Sequence, residues 1–219
     1  LVVRNTGESQ PSSSTQTSRS PVHVVYGGAD RFKADTPQKL GRIALKSIET
    51  FAPNFVEFAN AMRLPGTESL PHYPEAVAKL AETVEKNPDR AKSENFTAWF
   101  ANGVYRKTLE KIENEPIEDI RIDFEDGYGF RSDEEEDADA SRAASEMANA
   151  FRAGQLPASS GFRIKRLADA EYARAVSTLD IFLNTLWEKS DGKLPENFVV
   201  TLPKVSTRDE VRELAKRLG

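Results

Sequence analysis

Ile120-Arg121-Ile122-Asp123-Phe124-Glu125-Asp126-Gly127-Tyr128-Gly129 is an alternating strand pattern that runs into three carboxylates and a loop with two glycines. Side chains alternate along a strand, so Ile120, Ile122 and Phe124 share one face and Arg121, Asp123 and Glu125 the other. The apolar face needs a covering helix. The charged face needs water, a metal, a cationic partner or a ligand, because unpaired buried carboxylates are costly. Gly127 and Gly129 let the chain turn sharply and let a ligand approach the backbone. Carboxylates at the C-terminal end of such a strand mark a ligand site in an α/β protein.

Downstream, strand and helix keep alternating. Strands are predicted over 118–125, 161–165 and 197–202, followed by helices over 133–153, 169–189 and 207–218. This order implies parallel strands joined by helical crossovers, in a barrel or an open doubly wound sheet. Upstream, Val22-His23-Val24-Val25-Tyr26, ended by Gly27-Gly28, supplies a further strand; the lone His23 reads as structural. Thr36-Pro37 opens a helix that runs to Ala52. Pro53 breaks it, a helix over 54–63 follows, and two more run from Pro74 to Asn87 and from Glu94 to Asn114. Phe96, Trp99, Phe100, Val104 and Leu109 recur at helical spacing and read as core packing. Residues 36–116 therefore form a helical insert after the first strand. Thr6 to Ser20 contains no apolar anchor, so residues 1–20 are expected to be a disordered leader.

The chain has 219 residues, 38% hydrophobic and 30% charged, enough for one domain with a sizeable core. A net charge of −5, with no basic cluster interleaved with aromatics, argues against nucleic-acid binding. No apolar run approaches the roughly 20 residues a membrane helix needs. The absence of cysteine excludes a disulfide framework and thiolate chemistry. A cytoplasmic enzyme is the default expectation. The start at Leu1 and the stop at Gly219, just after a predicted helix, suggest the N-terminal part of a longer protein.

The run Asp133-Glu134-Glu135-Glu136-Asp137 reads as a solvated helix start capped by Ser132 or Asp133, with its carboxylates favoured by the helix dipole. Gly161-Phe162-Arg163-Ile164-Lys165-Arg166 repeats the two-faced pattern, setting Arg163 and Lys165 beside the carboxylates of the preceding strand. Arg163 suits bidentate binding of a carboxylate or enolate oxygen, and equally a salt bridge to Asp123 or Glu125; both can hold. Lys204, after Pro203 at the end of the last strand, is a phosphate or carboxylate contact or an exposed loop residue.

Tyr26-Gly27-Gly28-Ala29-Asp30-Arg31-Phe32, Ile122-Asp123-Phe124-Glu125-Asp126, Phe162-Arg163-Ile164-Lys165 and Thr201-Leu202-Pro203-Lys204-Val205, in this order, resemble the first half of the citrate lyase beta-chain, malyl-coenzyme A lyase and pyruvate aldolase superfamily. The long insert is similar to that of an uncharacterised aldolase-like branch. Three positions depart from the family pattern: Gly28 stands near a usual Pro-Gly turn, Lys165 replaces an Asn, and Gly127-Tyr128-Gly129 replaces a small apolar stretch.

The resemblance implies an α/β fold, a partial (β/α)8 TIM barrel made of its first four strands. A whole barrel takes about 250 residues. It implies a carbon–carbon lyase or aldolase acting on a small 2-oxo acid or an acyl-coenzyme A thioester through a Mg²⁺-stabilised enolate. Arg163 would clamp the enolate or carboxylate, Glu125 and Asp126 would shape the site or hold metal-bound water, and Asp123 would orient them. Gly127 and Lys204 would contact substrate. Direct Mg²⁺ ligands are expected on later strands beyond residue 219, and the full-length protein as a homo-oligomer with no nucleic-acid or membrane partner. The rival expectation is a noncatalytic half-barrel that binds or assembles, its acidic strand end serving only salt bridges. Phosphoryl transfer is disfavoured because no Gly-Lys-Ser or Gly-Lys-Thr phosphate loop is present.

Overall fold

The structure, a computed structural model, describes residues 2–4 and 20–219. In chain order its elements are β1 (Val2–Arg4), β2 (Val25–Gly28), α1 (Thr36–Phe51), α2 (Phe55–Ala61), α3 (Pro74–Lys86), α4 (Pro88–Glu94), α5 (Phe96–Asn114), β3 (Asp119–Asp123), α6 (Asp133–Arg152), β4 (Ser159–Arg163), α7 (Tyr172–Lys189), β5 (Phe198–Thr201) and α8 (Arg208–Leu218). They form a mixed α/β protein of two compact units, Leu1–Gln38 with Ile117–Gly219, and Lys39–Pro116.

In the first unit the sheet order is β1-β5-β4-β3-β2, with β2 to β5 parallel and β1 antiparallel to β5. The sheet is open, with β1 and β2 at its edges. Ile120, Ile122 and Phe124 pack as their alternation predicts, joining Phe162 and Ile164 against Ala140, Ala143, Ala144 and Met147 of α6 and Leu179, Phe182 and Leu186 of α7. Alanines let α6 and α7 approach each other closely. The Phe162 and Phe182 rings stack with centroids 4.0 Å apart. Each such fully buried large side chain contributes about 1.5–3 kcal/mol relative to exposure.

The opposite face of β3 is also buried. Arg121 is satisfied by its neighbour two residues back, donating from Nε to Asp119 Oδ1 at 2.7 Å and from Nη2 to Asp119 Oδ2 at 2.5 Å.

Several boundaries differ from the sequence pattern. The leader expected over residues 1–20 splits: Val2–Arg4 pair with β5, as β-branched Val2 and Val3 favour, and residues 5–19 lie outside the described residues. The first parallel strand is displaced from 22–26 to Val25–Gly28, so Gly27 and Gly28 lie within the sheet, opposite Ile122 and Asp123, instead of ending the strand. The reason lies in the close approach required there. A Cβ on Gly28 would stand 2.6 Å from the Gly127 carbonyl oxygen.

The second unit is helical. Phe55, Val56, Ala59, Leu70, Val77, Val84, Ala98 and Ala101 form its core. Asn54 caps α2 by accepting from the N–H groups of Val56 and Glu57, and Asn95 caps α5 by accepting from Ala98. Pro88, which the sequence pattern takes as a stop, occupies the first turn of α4. Of the aromatic stripe in α5, Trp99 packs against the core and Phe96 is exposed.

Candidate active site

The parallel register sets Gly28, Asp123, Arg163 and Thr201 side by side across β2, β3, β4 and β5. This row lies at the C-terminal ends of the strands, where open α/β sheets bind ligands. Because Asp123 and Arg163 are direct cross-strand partners, their side chains meet in a two-point bridge, Nε to Oδ1 at 2.7 Å and Nη2 to Oδ2 at 2.6 Å. Asp123 is fully buried; Arg163 is 18% exposed. The same carboxylate accepts from the backbone N–H groups of Glu125 at 2.9 Å and Gly127 at 2.7 Å.

Gly127 is fixed by that contact, since a Cβ there would lie 2.6 Å from Asp123 Oδ2. Across the guanidinium, the Tyr26 ring lies 4.7 Å from Arg163 Cζ.

Glu125 and Asp126 follow beyond the strand end. Lys204 spans them, donating to Asp126 Oδ1 at 2.8 Å and pairing with Glu125 Oε1. Lys204 has a φ of 44°, a left-handed conformation that a lysine adopts only under backbone strain. Arg163 Nη1 is 3.2 Å from Glu125 Oε2 and 3.8 Å from Asp126 Oδ2. Glu125 Oε2 is buried and accepts no hydrogen bond.

These contacts set the protonation preferences. Burial pushes the Asp123 carboxyl up, but the Arg163 guanidinium and the two backbone N–H groups outweigh it and hold the carboxyl below its usual range. The Lys204 ammonium lowers the Asp126 carboxyl, and Asp126 and then Glu125 raise Lys204 in return. Arg163 is raised by Asp123 and stays charged.

Next to this group is a cavity of about 330 Å³, lined by Glu125, Asp126, Lys165, Glu171 and Lys204, with Gly129 and Phe130. Lys165, 8% exposed, donates to Glu136 Oε2 at 2.6 Å and to the Phe124 carbonyl at 2.8 Å, and its Nζ lies 5.3 Å from the centre of the Tyr128 ring. Glu136 is therefore no part of a solvated helix start. It is 1% exposed and also accepts from Thr178 Oγ1 at 2.6 Å. The helix start itself is capped as expected, Ser132 accepting from Glu135 N–H at 3.2 Å and Glu135 from Ser132 N–H at 3.0 Å, whereas half-buried Asp137 pairs with Arg174 of α7.

The sequence signal for Glu136 is its register, because it lies one helical turn before Ala140 on the stripe that continues through Ala143 and Met147. Tyr26 and Thr178 carry no comparable signal. The sequence-predicted residues Asp123, Glu125, Asp126, Gly127, Arg163 and Lys204 are all brought together.

The three carboxylates do not make a ligand set for Mg²⁺. Both Asp123 oxygens are committed to Arg163, Lys204 bridges Asp126 and Glu125, and the buried Glu125 Oε2 has no hydrogen bond. Among the described residues no group of three or more His, Cys, Asp or Glu side chains is placed to hold a metal ion. Nor, among them, is any helix long and apolar enough to cross a membrane.

The family model Domain of unknown function (DUF6986) matches residues 8–219, and the chain belongs to that family. No curated protein and no solved structure matches it.

Proposed function

We propose that this DUF6986 member is a carbon–carbon lyase or aldolase of the cytoplasm that acts on a small 2-oxo acid or acyl-coenzyme A thioester, its parallel sheet being the first part of a (β/α)8 barrel. The observation that carries the reading is Arg163, fixed by buried Asp123 at the C-terminal edge of the sheet beside a cavity lined by two lysines. Breaking a bond next to a carbonyl places negative charge on its oxygen, and a preorganised guanidinium lowers the barrier where that charge develops. Asp123 holds the guanidinium plane, Tyr26 backs it, and Nη1, which now lies 3.2 Å from Glu125 Oε2, is the edge that would meet the oxyanion. Glu125, with one buried oxygen free of hydrogen bonds, is the proton acceptor, and Asp126 holds Lys204 for the substrate carboxylate. Mg²⁺ is assigned no step here, because its direct ligands are expected on later strands and Asp123, Glu125 and Asp126 contact Arg163 and Lys204.

The test is pyruvate release from a 4-hydroxy-2-oxo acid, and loss of an acyl-coenzyme A thioester, by the wild type and by Arg163→Lys. Lysine keeps the charge and loses the fork, so turnover is expected to fall by about 10²–10³-fold. Absence of wild-type turnover on both substrate classes refutes the reading. One observation favours the rival, a noncatalytic module: Arg163, Lys165 and Lys204 each already have a carboxylate partner.

A further inference from the structure

Lys165 is the residue whose surroundings the clamp does not explain. Arg163 and Lys204 face carboxylates at the sheet edge, whereas Lys165 lies deeper, in the wall of the same cavity. Its ammonium is surrounded by one carboxylate oxygen, one backbone carbonyl and the face of one aromatic ring. The carboxylate belongs to Glu136, itself buried and held on its other oxygen by Thr178, with Arg174 Nε 3.6 Å from that oxygen. A solvated surface lysine requires no such shell. A lysine that attacks a carbonyl group reacts as the free amine, so a base within hydrogen-bond reach must take its proton, in a pocket the carbonyl compound can enter.

We infer that Lys165 is an imine-forming catalytic residue, the amine on which the cavity binds the carbonyl carbon of a small 2-oxo acid, with Glu136 as its proton acceptor and donor. The inference deepens the lyase reading and rests on it for the substrate class. The atoms balance within the site. Glu136 takes one proton from the Lys165 ammonium, and the amine nitrogen forms a bond to the carbonyl carbon. The carbonyl oxygen, after gaining protons in a carbinolamine, leaves as water, the last proton coming back from Glu136. Ammonium plus ketone gives iminium plus water. The C=N⁺ bond then receives the electron pair of the carbon–carbon bond that breaks, so the chain itself supplies the electron sink. Lys204 is left to hold the substrate carboxylate, beside the Arg163–Asp123 bridge. The requirement for an amine also gives a chemical reason for a lysine, and not an amide side chain, at this position.

The experiment uses the whole chain incubated with pyruvate and then reduced with borohydride, which turns an iminium into a stable secondary amine. Peptide mapping by mass spectrometry follows. The expected result is one pyruvate-derived adduct per chain on the peptide carrying Lys165, absent without pyruvate and absent from Lys165→Arg, a variant that keeps the positive charge beside Glu136. Glu136→Gln is expected to slow adduct formation at least tenfold. An unlabelled Lys165 at saturating pyruvate, or labelling spread over exposed lysines to the same extent, overturns the inference. The wild-type map decides this even where a variant fails to fold. Pyruvate release from a 4-hydroxy-2-oxo acid is measured in parallel. Release without an adduct on Lys165 overturns the imine and leaves the lyase standing, whereas an adduct with neither this release nor loss of an acyl-coenzyme A thioester supports the imine and refutes the lyase.

Discussion

Truncating Arg163 to Ala leaves Asp123, which has no solvent exposure, without the cation that now lies 2.6–2.7 Å away. Removing one partner of a buried ion pair costs about 3–5 kcal/mol. Two features place this site near the lower end. The backbone N–H groups of Glu125 and Gly127 still solvate the carboxylate, and Arg163 is partly exposed, so water can enter the vacated space. We expect a loss of about 3 kcal/mol for Arg163→Ala. Asp123→Ala strands a guanidinium that retains Glu125 at 3.2 Å and Asp126 at 3.8 Å, so about 2 kcal/mol is expected.

If the bridge is the cause, the double variant costs less than the sum of the single ones, by up to about 3 kcal/mol. The assay is urea unfolding followed by circular dichroism, with the slopes compared to verify that the transition is unchanged in kind. Additivity of the single effects to within about 0.5 kcal/mol refutes the argument.

Acid gives an independent check with a defined sign. The Asp123 carboxyl is depressed in the folded state, so its stabilisation is fully present above the unfolded carboxyl range, about pH 4, and is lost as pH falls through the lower folded value. The stability curves of wild type and Asp123→Ala should therefore converge below about pH 4. A constant gap down to pH 2 contradicts the assignment.

Gly127→Ala should destabilise by about 1–3 kcal/mol, because its methyl meets Asp123 Oδ2 at 2.6 Å, whereas Gly103→Ala, with open space at its Cβ, should stabilise α5 by up to about 1 kcal/mol; thermal melts of the two compare them directly. Ser132→Ala removes one half of the capping box and should cost about 1 kcal/mol by urea titration, with turnover unchanged. Lys204→Gly releases the left-handed strain while deleting the cation, so the melting temperature should hold or rise as KM for the oxo acid rises; a fall in melting temperature with unchanged KM refutes that role.

How far the sequence could be read follows from which forces are local. Alternation along residues 120–125 fixes which side chains share a face, and Ile122 and Phe124 went to the core for that reason. The alternating charges also allowed a bridge from Arg163 to Asp123 or Glu125, and it forms to both. What was not legible depends on register between strands. Gly27 and Gly28 look like a strand end because glycine weakens strands locally. They lie within β2 because the Gly127 backbone and Asp30 come too close for any Cβ at Gly28. Glu136 was hidden for a different reason. Charge composition marks a helix start as solvated, while helical register, read four residues at a time, places this one carboxylate on the face that meets Lys165.

Every cation around the cavity is paired, so an anionic substrate must displace a carboxylate, and burial decides which one. Asp123 is fully buried and tied to Arg163 by two short hydrogen bonds and to two backbone N–H groups, so its release would strand a charge with no access to water. Asp126 is exposed, and its side chain can turn into solvent. The substrate carboxylate should therefore exchange with Asp126 on Lys204, leaving the Arg163 bridge intact as the fixed wall of the site. The two arrangements differ in their response to salt. Exchange at exposed Lys204 is screened, so KM should rise steadily between 50 mM and 500 mM salt as the Debye length shrinks from roughly 14 to 4 Å, while the stability carried by the Arg163 bridge barely changes. A KM indifferent to salt, together with a bridge that weakens with it, would reverse the assignment and make Arg163 the exchanging cation.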